Sequence, residues 1–108
     1  MYNICLVEDE LNLSSLIKTY LDIHFHQNIS LRHLSEKFNF EASYLSKIFK
    51  KKYAVTPIQY IQKKRIEEAK QILQSNSYIS IQEISKNIGY KDALYFSKLF
   101  KTSTGYSP

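Results

Sequence analysis

The chain has 108 residues, which is enough for one domain or two closely packed subdomains with a modest core. Fifteen Lys and Arg residues against ten Asp and Glu residues give a net charge of +5 at pH 7 and a pI near 9.3. A single cysteine excludes an internal disulfide. The sequence shows neither a secretory signal nor an apolar run that could span a bilayer, so we expect a cytoplasmic protein without membrane association.

Residues 1–11 differ in pattern from the rest of the chain. The run ICLV at residues 4–7 is typical of a buried strand, and three acidic residues follow it at positions 8–10. This arrangement resembles the first strand and the magnesium-binding acidic cluster of a response-regulator receiver domain, over about ten residues. Three interpretations stay open: a receiver remnant, a fusion segment, or the start of the protein's own first helix. No phosphotransfer chemistry is assigned to Asp9.

Residues 12–56 are predicted to form a first helix-turn-helix subdomain. Its first helix is predicted over residues 12–25 from apolar residues at helical spacing. A second helix should end at Asn39, which suits a left-handed C-cap, and a third should follow Glu41, which is a poor N-cap. The first helix is predicted to face the core with Leu13, Leu16, Ile17, Tyr20 and Leu21.

Residues 57–76 are predicted to form one long linking helix. Apolar side chains recur on one face with a period of 3.6 residues, and Pro57 suits the first turn because its missing amide hydrogen has no partner there. Twenty such residues would span about 30 Å, close to the roughly 34 Å between successive major-groove faces of a DNA duplex.

Residues 77–108 are predicted to form a second helix-turn-helix subdomain. Sliding the chain by fifty residues aligns ISL at 29–31 with ISI at 79–81, and one further residue aligns YLSKIFK at 44–50 with YFSKLFK at 95–101. Ser80 and Glu83 form a capping-box pattern, Gly89 suits a left-handed C-cap, and Asp92 suits the N-cap of the last helix. The two subdomains are therefore copies of one unit.

Basic residues concentrate in the last predicted helix of the first copy and in the linking helix. A basic cluster on helix faces indicates a polyanionic partner, whereas an ordinary solvated surface is the alternative that the run alone leaves open. The cluster consists of Lys47, Lys50, Lys51, Lys52, Lys63, Lys64 and Arg65.

With both copies in view, the sequence resembles the DNA-binding domain of the AraC/XylS family of bacterial transcription regulators. The resemblance extends over residues 12–108, and with residues 1–10 the chain is similar to the output domain of a YesN-type response regulator of a two-component system. It implies an all-α fold with seven helices, in which two homeodomain-like helix-turn-helix units are joined by a long central helix. It also implies that both recognition helices enter adjacent major grooves of double-stranded DNA. The motifs are ISLRHLSEKF, SYLSKIFKKKYAVTP and IQEISKNIGYKDALYFSKLFKTSTGYSP.

The resemblance also implies particular contacts with DNA. Lys47 and Lys98 stand where the family commonly has arginine, and lysine lacks the planar fork that makes bidentate contacts. We therefore expect the first motif to read sequence more strictly than the second, where Ala93 and Leu94 offer only apolar contact. Base contacts are expected from Ser43, Ser46, Lys47, Ala93, Leu94, Ser97 and Lys98, and phosphate contacts from Lys50, Lys51 and Lys101.

Two positions depart from the family pattern. Ala54 stands where the second copy has Gly105 and the family prefers glycine, so the turn there must avoid a positive φ or bear strain. The family continues past Pro108 with a helix that packs on the second motif, so we expect the C-terminal helix to be truncated.

Enzymatic function finds little support in the sequence. No Gly-rich phosphate loop or paired nucleophile and base is present, and His24 and His26, two residues apart, cannot share one helix face as zinc ligands. We expect a sequence-specific DNA-binding transcription regulator with no catalysis, cofactor or metal. The alternative is an interaction module that docks RNA polymerase or a partner subunit. Dimerisation, where it occurs, is expected through regions absent from this chain.

Overall fold

A computed structural model describes residues 6–75 and 78–106 of the chain, and for residues 6–11 it describes the backbone alone. The described residues form helices and turns without a strand, so the all-α prediction is confirmed. The seventh helix that the resemblance implies does not occur within them. Six helices occur there: α1 (Leu6–His24), α2 (Leu31–Phe38), α3 (Ala42–Tyr53), α4 (Pro57–Ser75), α5 (Ile81–Ile88) and α6 (Ala93–Thr104).

The first helix begins earlier than predicted. Because α1 starts at Leu6, the strand interpretation is wrong for Leu6 and Val7, while residues 1–5 lie outside the described part of the chain. Glutamate and leucine are good helix formers, and they carry the helix back through residues 6–11. The segment therefore contributes the start of the protein's own first helix.

The chain divides into two compact units. Among the described residues, unit 1 comprises residues 6–24 and 29–61, and unit 2 comprises residues 25–28, 62–75 and 78–106. Helix α4 is continuous and contributes to both units. The assignment of the loop at residues 25–28 to unit 2 is not evident from the repeat, which groups this loop with the first copy.

The core of unit 1 follows the predicted periodicity with one exception. Ile17, Leu21 and Phe49 are fully buried, as expected. Leu16, predicted to face the core, has 59% of its surface exposed, so that prediction is wrong. Ser14 is buried instead, and its hydroxyl donates to the carbonyl oxygen of Ile48 at 3.2 Å. This bond satisfies the serine, so the buried stripe of α1 runs through positions 14, 17 and 21.

The core of unit 2 packs against the C-terminal half of α4, through Ile66 and Ala69. Ile84, Ile88 and Phe96 are fully buried there, and the half-buried side chains of Leu73 and Leu99 pack around them. The buried cluster consists of Ile66, Ala69, Ile84, Ile88, Phe96 and Phe100.

The predicted ends of the short helices are confirmed. Ser80 Oγ accepts from the backbone N–H of Glu83 at 3.1 Å, and Asp92 accepts from the N–H groups of the first turn of α6. Gly89 and Asn39 close α5 and α2 in the left-handed conformation, with φ of 105° and 60°. These contacts satisfy donors and carbonyls that each helix leaves unpaired at its ends.

Ala54 adopts the left-handed conformation, with φ of 69°, and so bears backbone strain. A Cβ at positive φ costs roughly 1–2 kcal/mol, and the greater entropy of glycine in the unfolded chain offsets part of that gain. We expect Ala54→Gly to raise the free energy of unfolding by about 1 kcal/mol in urea titrations followed by circular dichroism. Unchanged or lower stability would show that the strain is relieved elsewhere.

Candidate nucleic-acid interface

Helix α3 presents the predicted residues of the first motif on one face. Ser43 and Lys47 are exposed and Ser46 is half-buried, while the opposite side of the helix buries Leu45 and Phe49. Lys50 and Lys51, also exposed, extend the same face by one helical turn. Positions 43, 46, 47, 50 and 51 follow the i, i+3, i+4 spacing of neighbours on a helix surface. The face can therefore offer hydroxyl and ammonium donors together.

Helix α6 presents the corresponding face of the second motif with a different chemistry. Leu94 has 65% of its surface exposed, and Lys98 and Lys101 are exposed beside it. Ala93 and Ser97 are half-buried at the edge of this face. The first turn of α6 therefore exposes a mainly apolar surface at Leu94, and the later turns expose the positive charges of Lys98 and Lys101.

The turn in each motif is held by the same side-chain bond. Ser35 Oγ donates to the carbonyl oxygen of Phe40 at 2.6 Å, and Ser85 Oγ donates to that of Tyr90 at 2.8 Å. The fifty-residue offset aligned these two serines. Each bond ties the helix before the turn to the residue that leads into the recognition helix, so the repeat extends to the contacts that orient α3 and α6.

The N-termini of the two recognition helices differ. Asp92 Oδ1 accepts from the N–H groups of Leu94 at 2.9 Å and Tyr95 at 3.3 Å. Glu41 makes no side-chain cap at the start of α3, as its residue type predicted. The first N–H groups of α6 are therefore bound by the side chain of Asp92, whereas those of α3 are not bound by the side chain of Glu41.

Arg65 must be removed from the basic cluster. Only 8% of its surface is exposed, and its guanidinium donates to the carbonyl oxygens of Phe25 and Gln27, each at 2.7 Å. It also lies 4.6 Å from the ring centre of Tyr90. Arg65 shares the buried face of α4 with Ala69, four residues on, and that spacing is the signal that could have revealed its burial.

Tyr90, in the turn between α5 and α6, packs its ring against this buried guanidinium. Burial raises the pKa of the Tyr90 hydroxyl, and the positive charge of Arg65 acts in the opposite direction. The Tyr90 ring stacks on Phe96 of α6, with ring centres 6.2 Å apart. The start of α6 is therefore fixed from two sides, by Asp92 through the backbone and by Tyr90 through ring packing.

Tyr95 is an exposed residue of this surface that we did not predict. It has 48% of its surface exposed, directly after Leu94, and its ring contacts that of Tyr90 with centres 5.6 Å apart. Its repeat partner, Tyr44, likewise packs against Phe40, with ring centres 5.5 Å apart. The alignment of these two aromatic pairs in the sequence was the available signal.

The described residues hold no group of three or more His, Cys, Asp or Glu side chains arranged to bind a metal ion. His33 lies with its Nε2 2.6 Å from the hydroxyl oxygen of Tyr20, and its ring stacks on the tyrosine. None of the helices, over the same described range, is long and apolar enough to cross a membrane.

Two units that each place an exposed recognition helix after a tight turn define the chain as a double helix-turn-helix domain. A family model described as a helix-turn-helix domain matches residues 34–108. The chain belongs to this AraC-type family, and the predicted family is confirmed.

Known relatives support this membership. The C-terminal domain of AraT, a response regulator from Geobacillus stearothermophilus, superposes with a TM-score of 0.84 at 32% identity, covering 89% of this chain and 79% of that one. The C-terminal domain of the two-component response regulator yesN from Fusobacterium nucleatum also gives 0.84, at 31% identity over 90% and 94% of the two chains.

A curated relative has a similar level of identity. The uncharacterized HTH-type transcriptional regulator YdiP of Escherichia coli K12 is 39% identical over 89 residues, which are 82% of this chain and 29% of that protein. The chain spans about a third of the length of the curated relatives that it matches.

Proposed function

We propose that the chain is the sequence-specific, double-stranded DNA-binding part of a bacterial transcription regulator. The observation that carries this proposal is the pair of exposed recognition faces, on α3 and α6, each following a turn held by an equivalent serine. Relatives whose names describe transcriptional and response regulators support it. On this account the two recognition helices enter adjacent major grooves, about one helical turn apart.

On this proposal the two faces read the DNA sequence by different contacts, polar ones from α3 and apolar ones from the first turn of α6. Lys47, flanked by the hydroxyls of Ser43 and Ser46, suits the O6 and N7 acceptors of guanine in the major groove. Leu94, with Ala93 beside it, suits the methyl group of thymine. Hydrogen bonds discriminate more sharply than a methyl contact, so the first motif reads its site more strictly. Ser97 and Lys98 complete the proposed base-contacting set.

Affinity comes largely from the phosphate backbone. Lys50, Lys51 and Lys101 lie at the later turns of α3 and α6, where they can neutralise phosphates and release counterions. Such contacts hold the register of the protein on DNA and carry no sequence information. We propose that the domain acts in the cytoplasm without catalysis or a cofactor, and that dimerisation, where it occurs, uses regions absent from this chain.

Selection of bound duplexes from a random pool tests this function. The recovered duplex should bind at least tenfold more tightly than a random duplex of equal length in fluorescence anisotropy titrations, with affinity falling steeply as salt rises. Equal and weak affinity for both duplexes would contradict the proposal. It would favour the alternative, a module that docks another protein.

A further inference from the structure

An open groove of about 980 Å³ lies in unit 2 beside the start of α6. One wall is the loop at residues 25–28, which contributes His26 and Asn28, and the other is formed by α5, the turn after it and the start of α6. Lys86, Lys91 and Leu94 are among the lining residues of this second wall. None of the proposed phosphate-contacting lysines, which lie on α3 and late in α6, belongs to the groove.

The loop wall is held in place by contacts within unit 2. Arg65 donates hydrogen bonds to the carbonyl oxygens of Phe25 and Gln27. The carbonyl oxygen of His26 lies so close to Gly89 that a Cβ on Gly89 would be 2.5 Å from it. Arg65 thus engages two of the three carbonyl oxygens, and the loop packs closely against the turn between α5 and α6. The loop wall of the groove is therefore fixed by contacts within unit 2.

The charges that line the groove favour an anion. Lys86 and Lys91 are exposed, and no ion pair involves either of them among the residues that the structure describes. Asn28 can add an amide donor. Asp92 is the one carboxylate among the described lining residues, and its Oδ1 accepts from two backbone N–H groups of α6. Those bonds and the helix dipole offset part of its charge.

The position of Leu94 indicates which anion would reach the groove. This side chain borders the groove and also belongs to the proposed base-reading face of α6. Because the major groove of B-DNA is about 12 Å wide, a duplex that presents a base edge to Leu94 also brings the phosphates that border this groove close to the start of α6. We propose that the groove binds phosphodiester groups of the same DNA next to the second recognition site, through Lys86 and Lys91. This inference rests on the proposed function.

Single variants of the two lysines test the groove by its salt dependence. With the duplex recovered from the pool, Lys86→Ala and Lys91→Ala should each make the plot of log affinity against log salt shallower by about 1, without altering base preference. Lys70→Ala is the matched control, because Lys70 is an exposed lysine of unit 2 outside the groove. It should leave the slope unchanged. Unchanged slopes for both groove variants would overturn the proposal and leave an acidic protein surface as the alternative occupant.

Neutral methylphosphonate linkages locate the contact on the DNA. With one such linkage beside the second box, the fall in affinity of the native protein between 50 and 200 mM salt should be about three- to fourfold smaller than with the unmodified duplex, because one counterion-releasing contact is lost. The linkage should cause no further change in the salt dependence of the Lys86→Ala, Lys91→Ala double variant. Equal changes in both proteins would contradict the groove assignment. If the native protein fails to prefer the recovered duplex over a random one, the proposed function itself fails, which is a distinguishable result.

Discussion

Gly89→Ala is expected to lower the free energy of unfolding by about 2–5 kcal/mol. The residue has φ of 105°, and a Cβ there would lie 2.5 Å from the carbonyl oxygen of His26 and 2.8 Å from Nη2 of Arg65. Positive φ alone costs roughly 1–2 kcal/mol, and disturbing a buried hydrogen bond costs roughly 1–3 kcal/mol more. Urea unfolding followed by circular dichroism measures the difference.

Gly105→Ala is the matched control for this prediction. Gly105 also has positive φ, at 83°, but a Cβ there would meet no atom within 4 Å. Its cost should therefore be the backbone strain alone, about 1–2 kcal/mol. Equal destabilisation by the two substitutions would contradict the close packing of the loop at residues 25–28 against the second turn.

Lys47→Ala is expected to abolish discrimination at one base pair of the first box. A good contact between a side chain and a base edge is worth about 1–3 kcal/mol of discrimination against the wrong base, because Lys47 would donate to the pair of O6 and N7 acceptors that only guanine presents in the major groove. Titration of the recovered duplex and of duplexes with single substitutions measures this loss. The variant should bind the recovered duplex and a duplex substituted at that base pair with equal affinity.

Lys50→Ala provides the comparison for Lys47→Ala on the same helix. Both lysines are exposed on α3, and both substitutions remove one positive charge. Because Lys50 is proposed to contact a phosphate, its loss should weaken binding to all duplexes by a similar factor and make the salt slope shallower by about 1. If Lys47→Ala also weakened all duplexes uniformly, the assignment of Lys47 to a base would be wrong.

Features that depend on a few neighbouring residues were predictable from the sequence. Ser80, Gly89 and Asp92 bond to backbone groups two to four residues away, so residue type and spacing sufficed. The exposed faces of α3 and α6 followed in the same way from helical periodicity and from the repeat, while the contacts of these faces with DNA stay predictions. Strain at Ala54 was one of the two outcomes expected there, because the counterpart of Ala54 in the second copy is glycine.

Features that depend on distant parts of the chain were not predicted. Arg65 appeared to be one more solvated cation, because its partners, Phe25 and Gln27, lie some forty residues away. Leu16 was placed in the core by periodicity, but the hydrogen bond from Ser14 to Ile48 allows the helix to bury a neighbouring stripe. The groove beside α6 was missed for the same reason, since the loop that forms one wall belongs in sequence to the first copy.

The spacing of recognition boxes in the duplexes recovered from a random pool tests the central claim most directly. Two helix-turn-helix units that read one face of DNA together predict two short boxes whose centres lie about 10–10.5 base pairs apart, the second more degenerate than the first. A single box, or two boxes whose separation varies freely or departs from a whole turn, would contradict it.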